Sequence, residues 1–162
     1  MRPNPDNDTL SSVGDDLGRG YKYGGTVVGN DDCVYGIPYF ATHIIKFDPV
    51  NPDTSSAVGE EAEERFECGN GVLGGDGYIY DANQYGEVLQ IDTTNNHYTW
   101  IGDRIFLGSG AGQGDPIVGV DKCIYWPPSD DNSVLKTRRY NNCHRSWGMT
   151  SVQEVTNGRV EL

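Results

Sequence analysis

Three aspartates, Asp31, Asp76 and Asp121, stand 45 residues apart from one to the next. Evenly spaced carboxylates are the kind of set that could ring a hard cation such as calcium. Each of them, however, sits among turn-forming neighbours: Asn30-Asp31-Asp32, Gly75-Asp76-Gly77 and Asp121-Lys122. Asp favours turns because its carboxylate bonds the backbone two residues on, so turn residues are the expected role; Asp48 and Asp92, each at the end of an apolar stretch, read the same way. The run Glu60-Glu61-Ala62-Glu63-Glu64 could attract a cation or a basic partner, and a solvated loop is its expected form. His43, His97 and His144 show neither a Ser-His-Asp nor a Cys-His arrangement, so no catalytic residue is expected and an enzyme is not the favoured reading. Cys33, Cys68, Cys123 and Cys143 form no C-x-x-C pair, which argues against zinc. Cys33 and Cys123 hold matching places 90 residues apart, with Tyr78 in the same place between them, as packing residues would. The stretch from Gly108 to Gly114 contains G-x-G-x-G but precedes a strand-like segment, not a helix, so the context for phosphate binding is missing. No metal site and no cofactor are expected; calcium is the one ion for which the acidic residues leave room.

Composition narrows the partners. The 162 residues, one domain's length, carry 24 Asp and Glu against 12 Lys and Arg, a formal charge of −12. Such a surface repels phosphate backbones and anionic lipid, so nucleic acid and membrane are not expected partners. No apolar run approaches the ~18 residues of a membrane span, and the first twenty residues lack the apolar core of a signal peptide. Both favour an intracellular protein with reduced cysteines.

The elements that would position these residues repeat. Val28-Gly29-Asn30-Asp31-Asp32-Cys33-Val34-Tyr35 returns as Leu73-Gly74-Gly75-Asp76-Gly77-Tyr78-Ile79-Tyr80 and again as Val118-Gly119-Val120-Asp121-Lys122-Cys123-Ile124-Tyr125. A fixed period of this length marks a repeat architecture. The 22 Gly and 10 Tyr, against 2 Met, favour short strands and tight turns. Each unit reads as four strands. The first is Gly25–Val28 and its counterparts, and the second is Cys33-Val34-Tyr35 and its counterparts. The third is Ile44–Asp48, Val88–Asp92 and Val134–Lys136. The fourth is Ala57-Val58-Gly59, Trp100-Ile101-Gly102 and Ser146-Trp147-Gly148, with an extra copy at Ser12-Val13-Gly14. Asp76-Gly77 predicts a type I′ hairpin turn, with Asp or Asn tolerance serving the other two copies.

Four antiparallel strands per unit in like units predict an all-β fold of β-propeller blades. Blade 1 is expected at about 24–60, blade 2 at about 69–103 and blade 3 at about 114–149. Residues 1–23 are expected to hold an outer strand and linker, and 150–162 a tail or the start of a further blade. Three blades and an extra strand are fewer than a closed propeller has, so a partial propeller, or half of a dimeric ring, is expected.

The unit G-x-V-x-G-x-D-x-x-I-Y followed by V-L-x-I-D resembles β-propeller repeats of the Kelch and pyrroloquinoline-quinone type. It also resembles uncharacterised tandem propeller repeats of algal and protist proteins, through Val34-Tyr35-Gly36-Ile37-Pro38 and Ile45-Lys46-Phe47-Asp48-Pro49. A fainter similarity runs to gluconolactonase and strictosidine-synthase propellers, from which no site residue carries over. The resemblance implies a fold and leaves function open, because propellers host many activities. The favoured function is a non-enzymatic module binding a protein or glycan through one loop face. The alternatives are a fragment or subunit of a metal-dependent propeller hydrolase or lactonase, and a structural self-assembling protein. The ligand face is expected at Tyr39 and His43, Asn83 and Tyr85, Trp126 and Asp130, where aromatic and polar side chains mix in the loops between second and third strands. A homodimer, or association through blade edges, is the expected self-contact.

Overall fold

The structure is a computed structural model, and it describes residues 2–4, 9–11, 16–51, 54–101, 114–128, 134–137 and 149–151. These residues are all strand, turn and loop. Three four-stranded sheets follow one another along the chain. The first holds β3 (Tyr23–Val28), β4 (Val34–Pro38), β5 (Ile44–Phe47) and β6 (Ser55–Val58). The second holds β7 (Val72–Leu73), β8 (Tyr78–Ala82), β9 (Val88–Asp92) and β10 (His97–Ile101). The third holds β11 (Ile117–Val118), β12 (Ile124–Trp126), β13 (Leu135–Thr137) and β14 (Met149–Ser151). Strands pair antiparallel in sequence order within each sheet, as short hairpin connections dictate. A separate hairpin pairs β1 (Arg2–Asn4) with β2 (Thr9–Ser11). The strands expected at 12–14 and 146–148 lie outside the described residues, and the fourth strand paired in the third sheet is β14, in register with β13 through Thr137 and Met149. The second strand of the first sheet runs further than Tyr35, through Gly36-Ile37 to Pro38, where a proline is tolerated because the ladder ends.

The first hairpin of each sheet differs from the expected type I′ turn. Positive φ falls on only one residue of each turn: Asp32 at 60°, Gly77 at 88° and Lys122 at 65°. The amides of Asp32, Gly77 and Lys122 bond the carbonyls of Gly29, Gly74 and Gly119, and those glycine amides bond the carbonyls of Cys33, Tyr78 and Cys123. This is a type I turn followed by one left-handed residue, a three-residue loop. The repeated Asp occupies the turn proper, and its carboxylate accepts the amide two residues on at Cys33, Tyr78 and Cys123. Asp therefore serves as the side-chain acceptor expected of a turn residue, within a turn of a different type.

Side-chain alternation sends each sheet's two faces to different neighbours. Tyr35, Ile37, Ile44 and Val58 of the first sheet meet Ile79, Leu89 and Ile91 of the second in one core, with Phe66 and Cys68 from the intervening segment. Tyr80, Ala82 and Val88 of the second meet Ile124, Trp126 and Leu135 of the third in another. Full burial of each aliphatic side chain stabilises by about 1.5–3 kcal/mol, so the joints between sheets hold the arc together. First strands adjoin each other, β3 against β7 and β7 against β11, so the sheets radiate from a common side. Cys33 and Cys68 are free thiols; burial pushes the Cys68 thiol well above its ordinary pKa.

Candidate functional site: an acidic cleft on the loop face

The segment between the first and second sheets is pinned at both ends. It leaves β6 at Gly59, whose φ is 74° and where a Cβ would come within 2.6 Å of Tyr98 Cδ1. The Gly59 amide donates to the Asn96 carbonyl of the second sheet at 3.0 Å. Further on, the Ala62 amide donates to Thr42 O at 2.8 Å and the Glu67 amide to Tyr39 O at 2.9 Å, and Thr42 Oγ1 donates to Glu61 Oε1 at 2.6 Å. Phe66 anchors the middle. It is 1% exposed, edge-on to Tyr98 at 5.1 Å and tilted against Trp100 at 5.7 Å between ring centres. With its apolar residue buried, the segment turns Glu60, Glu61, Glu63 and Glu64 outward.

Across from them stands the loop between β8 and β9. Asn83 holds it: Oδ1 accepts the amides of Tyr85 and Glu87, both at 3.0 Å, and Nδ2 donates to Glu87 Oε2 at 2.9 Å. Gln84 Nε2 ties this loop to Glu67. Between the two loops opens a cleft of about 1070 Å³, lined by the outward glutamates and by Glu67, Glu87, Asn83, Tyr85, Tyr98 and Trp100. Tyr85 is 38% and Trp100 40% exposed. Among the described residues Arg65 is the one cation on the cleft's lining, with its guanidinium 5.0 Å from the Phe40 ring centre. Six glutamates beside two open aromatic faces produce a concentrated negative potential with cation–π platforms.

The six residues expected on a ligand face part company here. Asn83 and Tyr85 line the cleft. Tyr39 backs it through its carbonyl, while its ring packs against Tyr21 and Phe40. His43 lines a separate cavity of about 320 Å³ with Lys22 and Tyr23. Trp126 is wholly buried in the second core and presents nothing to solvent. Asp130 lies outside the described residues. The Glu60–Glu64 run, expected as a solvated loop, borders this cleft together with Phe66, Glu67, Glu87, Tyr98 and Trp100, for which the sequence carries no common spacing.

Two further polar groupings frame the site. In each sheet the turn Asp, the Tyr four residues on, and a third-strand polar residue form a triad. Tyr35 Oη donates to Asp31 Oδ2 at 2.9 Å, and Lys46 Nζ lies 2.6 Å from the same oxygen. Tyr80 Oη donates to Asp76 Oδ2 at 2.6 Å and accepts from Gln90 Nε2 at 2.8 Å. Tyr125 and Lys136 reach Asp121 Oδ2 at 2.7 and 3.0 Å. Burial, then the bond to Asp31, pushes the Tyr35 hydroxyl up to about 12. Burial alone would lower Lys46, but its bonds to Asp31 and Tyr35 win and raise it to about 12. The other grouping centres on Asp81, 3% exposed, which accepts the Gly69 amide at 2.7 Å. Burial raises its carboxyl to about 8, against the pull of the Ala82 and Gly69 amides. The Trp126 indole N–H also favours the ionised Asp81, yet Trp126 Nε1 makes no hydrogen bond of good geometry. Among the described residues no three His, Cys, Asp or Glu side chains converge as metal ligands.

No family model and no curated protein matches the chain. Solved structures do. It is similar to a catalytically inactive virginiamycin B lyase from Staphylococcus aureus, solved with quinupristin, at TM-score 0.61 and 14% identity over 97% of this chain and 45% of that one. It is similar to a putative 6-phosphogluconolactonase from Bacteroides uniformis at TM-score 0.58 and 17% identity, over 80% of this chain and 40% of that one. It is likewise similar to a protein from Lactobacillus plantarum at TM-score 0.56 and 18% identity, over 79% and 39% of the two chains. Identities this low show fold and no more, and the fold they share with this chain is the β-propeller. The three sheets are its blades, and the chain spans less than half the length of each of these structures.

Proposed function

We propose that this chain is a non-enzymatic propeller module that captures a protein partner through its loop face, with a basic segment of the partner lying in the glutamate-lined cleft between blades 1 and 2. One observation carries the reading: six glutamates and the open rings of Tyr85 and Trp100 border a single cleft. Lys or Arg side chains suit it on both counts, since carboxylates steer cations in and aromatic faces hold them by about 0.5–2 kcal/mol each. A glycan, the other ligand class suggested by the loops, would use the rings without the charges. Kinship with Kelch-type repeats fits the same reading and rests on the repeat residues alone.

Fluorescence anisotropy of a labelled Lys/Arg-rich peptide tests it, beside a neutral peptide of equal length. Binding of the basic peptide alone, weakening as salt rises, is the expected result. The double reversal Glu63→Lys and Glu64→Lys should abolish it, while Trp100→Ala should weaken it about tenfold at an unchanged salt slope. Equal binding of both peptides, or binding indifferent to salt, would refute it.

A second reading, part of a metal-dependent propeller hydrolase, is supported by Asp81 alone, because a buried carboxyl of raised pKa is a common mark of reaction sites. A rise in melting temperature on adding calcium would favour it, and an unchanged melt would remove it.

A further inference from the structure

The joint between blades 1 and 2 has a donor half and a receiving half, and the Asp–Tyr–Lys group of the first and the Asp-x-x-Asn turn of the second recur at the ends of the arc. At the joint between blades 1 and 2, the Tyr35 hydroxyl reaches the Thr93 carbonyl at 3.4 Å and Lys46 Nζ donates to Asn96 Oδ1 at 3.0 Å. A Cβ on Gly29 would touch Thr93 Cγ2 at 3.0 Å. The receiving side is an Asp-x-x-Asn turn, in which Asp92 accepts the Thr94 amide and the Asn95 side chain. Behind it, Ile79 and Ile91 are wholly buried.

Blade 3 carries the donor half again. Ile124 and Trp126 face blade 2, so alternation turns Tyr125 the other way, with Asp121 and Lys136 bound to it as in blade 1. Gly119 has the Tyr125 and Asp121 neighbours that Gly29 has with Tyr35 and Asp31. Ile117, on this outer face, is 65% exposed. Blade 1 carries the receiving half. Asp48 accepts the Val50 amide and the Asn51 side chain, both at 2.8 Å, matching the Asp92 turn. Val34 and Phe47 stand where blade 2 has Ile79 and Ile91, and Val28, where blade 2 has Leu73, is 56% exposed.

We propose that blade 3 of one copy docks on blade 1 of a second copy, and the reverse, so that two chains close into a single ring. The occupant is a second copy because the two open faces match the two sides of the joint between blades 1 and 2. The Tyr125 hydroxyl then meets the Pro49 carbonyl of the partner subunit, as Tyr35 meets Thr93. This proposal is independent of the cleft's ligand.

Light scattering on a sizing column, across about 10–100 μM, tests it. The expected mass is about 36 kDa, twice the 17.8 kDa chain. Val28→Asp places a charge on the receiving face at a position open to solvent in a single copy. It should keep the wild-type circular dichroism yet run at the single-chain mass. Glu63→Lys, in the cleft, should stay at the doubled mass. A folded wild type at the single-chain mass would overturn the proposal. So would a doubled mass that survives Val28→Asp, or a ladder of larger species, since head-to-tail contacts that fail to close make open chains.

Discussion

At Asp81 the repeat departs from itself: matching positions hold Gly36 and Trp126. Its folded pKa of about 8 stands above the ordinary 3.8, so the folded state holds the proton more tightly than the unfolded one. The stability this contributes is whole below about pH 4 and fades as pH rises through 8. Thermal melts from pH 5 to 9 should show this decline, and Asp81→Asn, which keeps an acceptor for the Gly69 amide, should flatten it and exceed wild type above pH 8. Asp31, Asp48 and Asp92 behave oppositely. Their carboxyls are held below the ordinary value, Asp31 by Lys46 and Tyr35 against the effect of burial, Asp48 by the Asn51 side chain first, and Asp92 by the Thr94 amide against burial. Their contribution is present above about pH 4 and lost as pH falls below it. Tyr35→Phe removes a buried donor and leaves Asp31 one bond short; denaturant titration should show a loss of about 1 kcal/mol. In the single-copy Val28→Asp background, Tyr125→Phe should lose less, because Tyr125 is part-exposed there whereas Tyr35 is wholly buried.

Each blade depends on a turn whose last residue is left-handed, and the three copies solve this differently. Gly77 adopts the conformation without strain, whereas Lys122 holds it at φ 65° against a cost of about 1–2 kcal/mol for a side chain. Lys122→Gly should therefore raise the melting temperature by a few degrees and Gly77→Ala should lower it. The strands and their period were legible because Tyr, β-branched and Gly positions recur every 45 residues. The turn type was not, since Asp-Gly suits a type I′ turn as well as the longer loop, and the choice rests on where the Asp carboxylate finds its amide. The triads were also hidden. Asp31, Tyr35 and Lys46 are each visible as repeated positions, but only the hairpin register brings the third strand's Lys46 opposite Tyr35.

Across the whole chain, the cleft was half legible. The sequence marks Asn83, Tyr85 and the Glu60–Glu64 run separately, and only the joint between blades brings them to one opening. Trp126 looked like a loop residue because two prolines follow it; pairing with Leu135 draws it inward instead, and Trp126→Ala should cost about 3–5 kcal/mol by emptying the core. The stacking of blades only on their nearest neighbours has a kinetic meaning as well. Among the described residues, blade 2 alone has a blade of the same chain packed on each side, so within one copy cooperativity runs along the arc as in a one-dimensional lattice. In the single-copy Val28→Asp variant its amides should be the last to exchange with deuterium, those of Ile79, Leu89 and Ile91 above all, while blades 1 and 3 open by sub-global fluctuations that leave blade 2 folded.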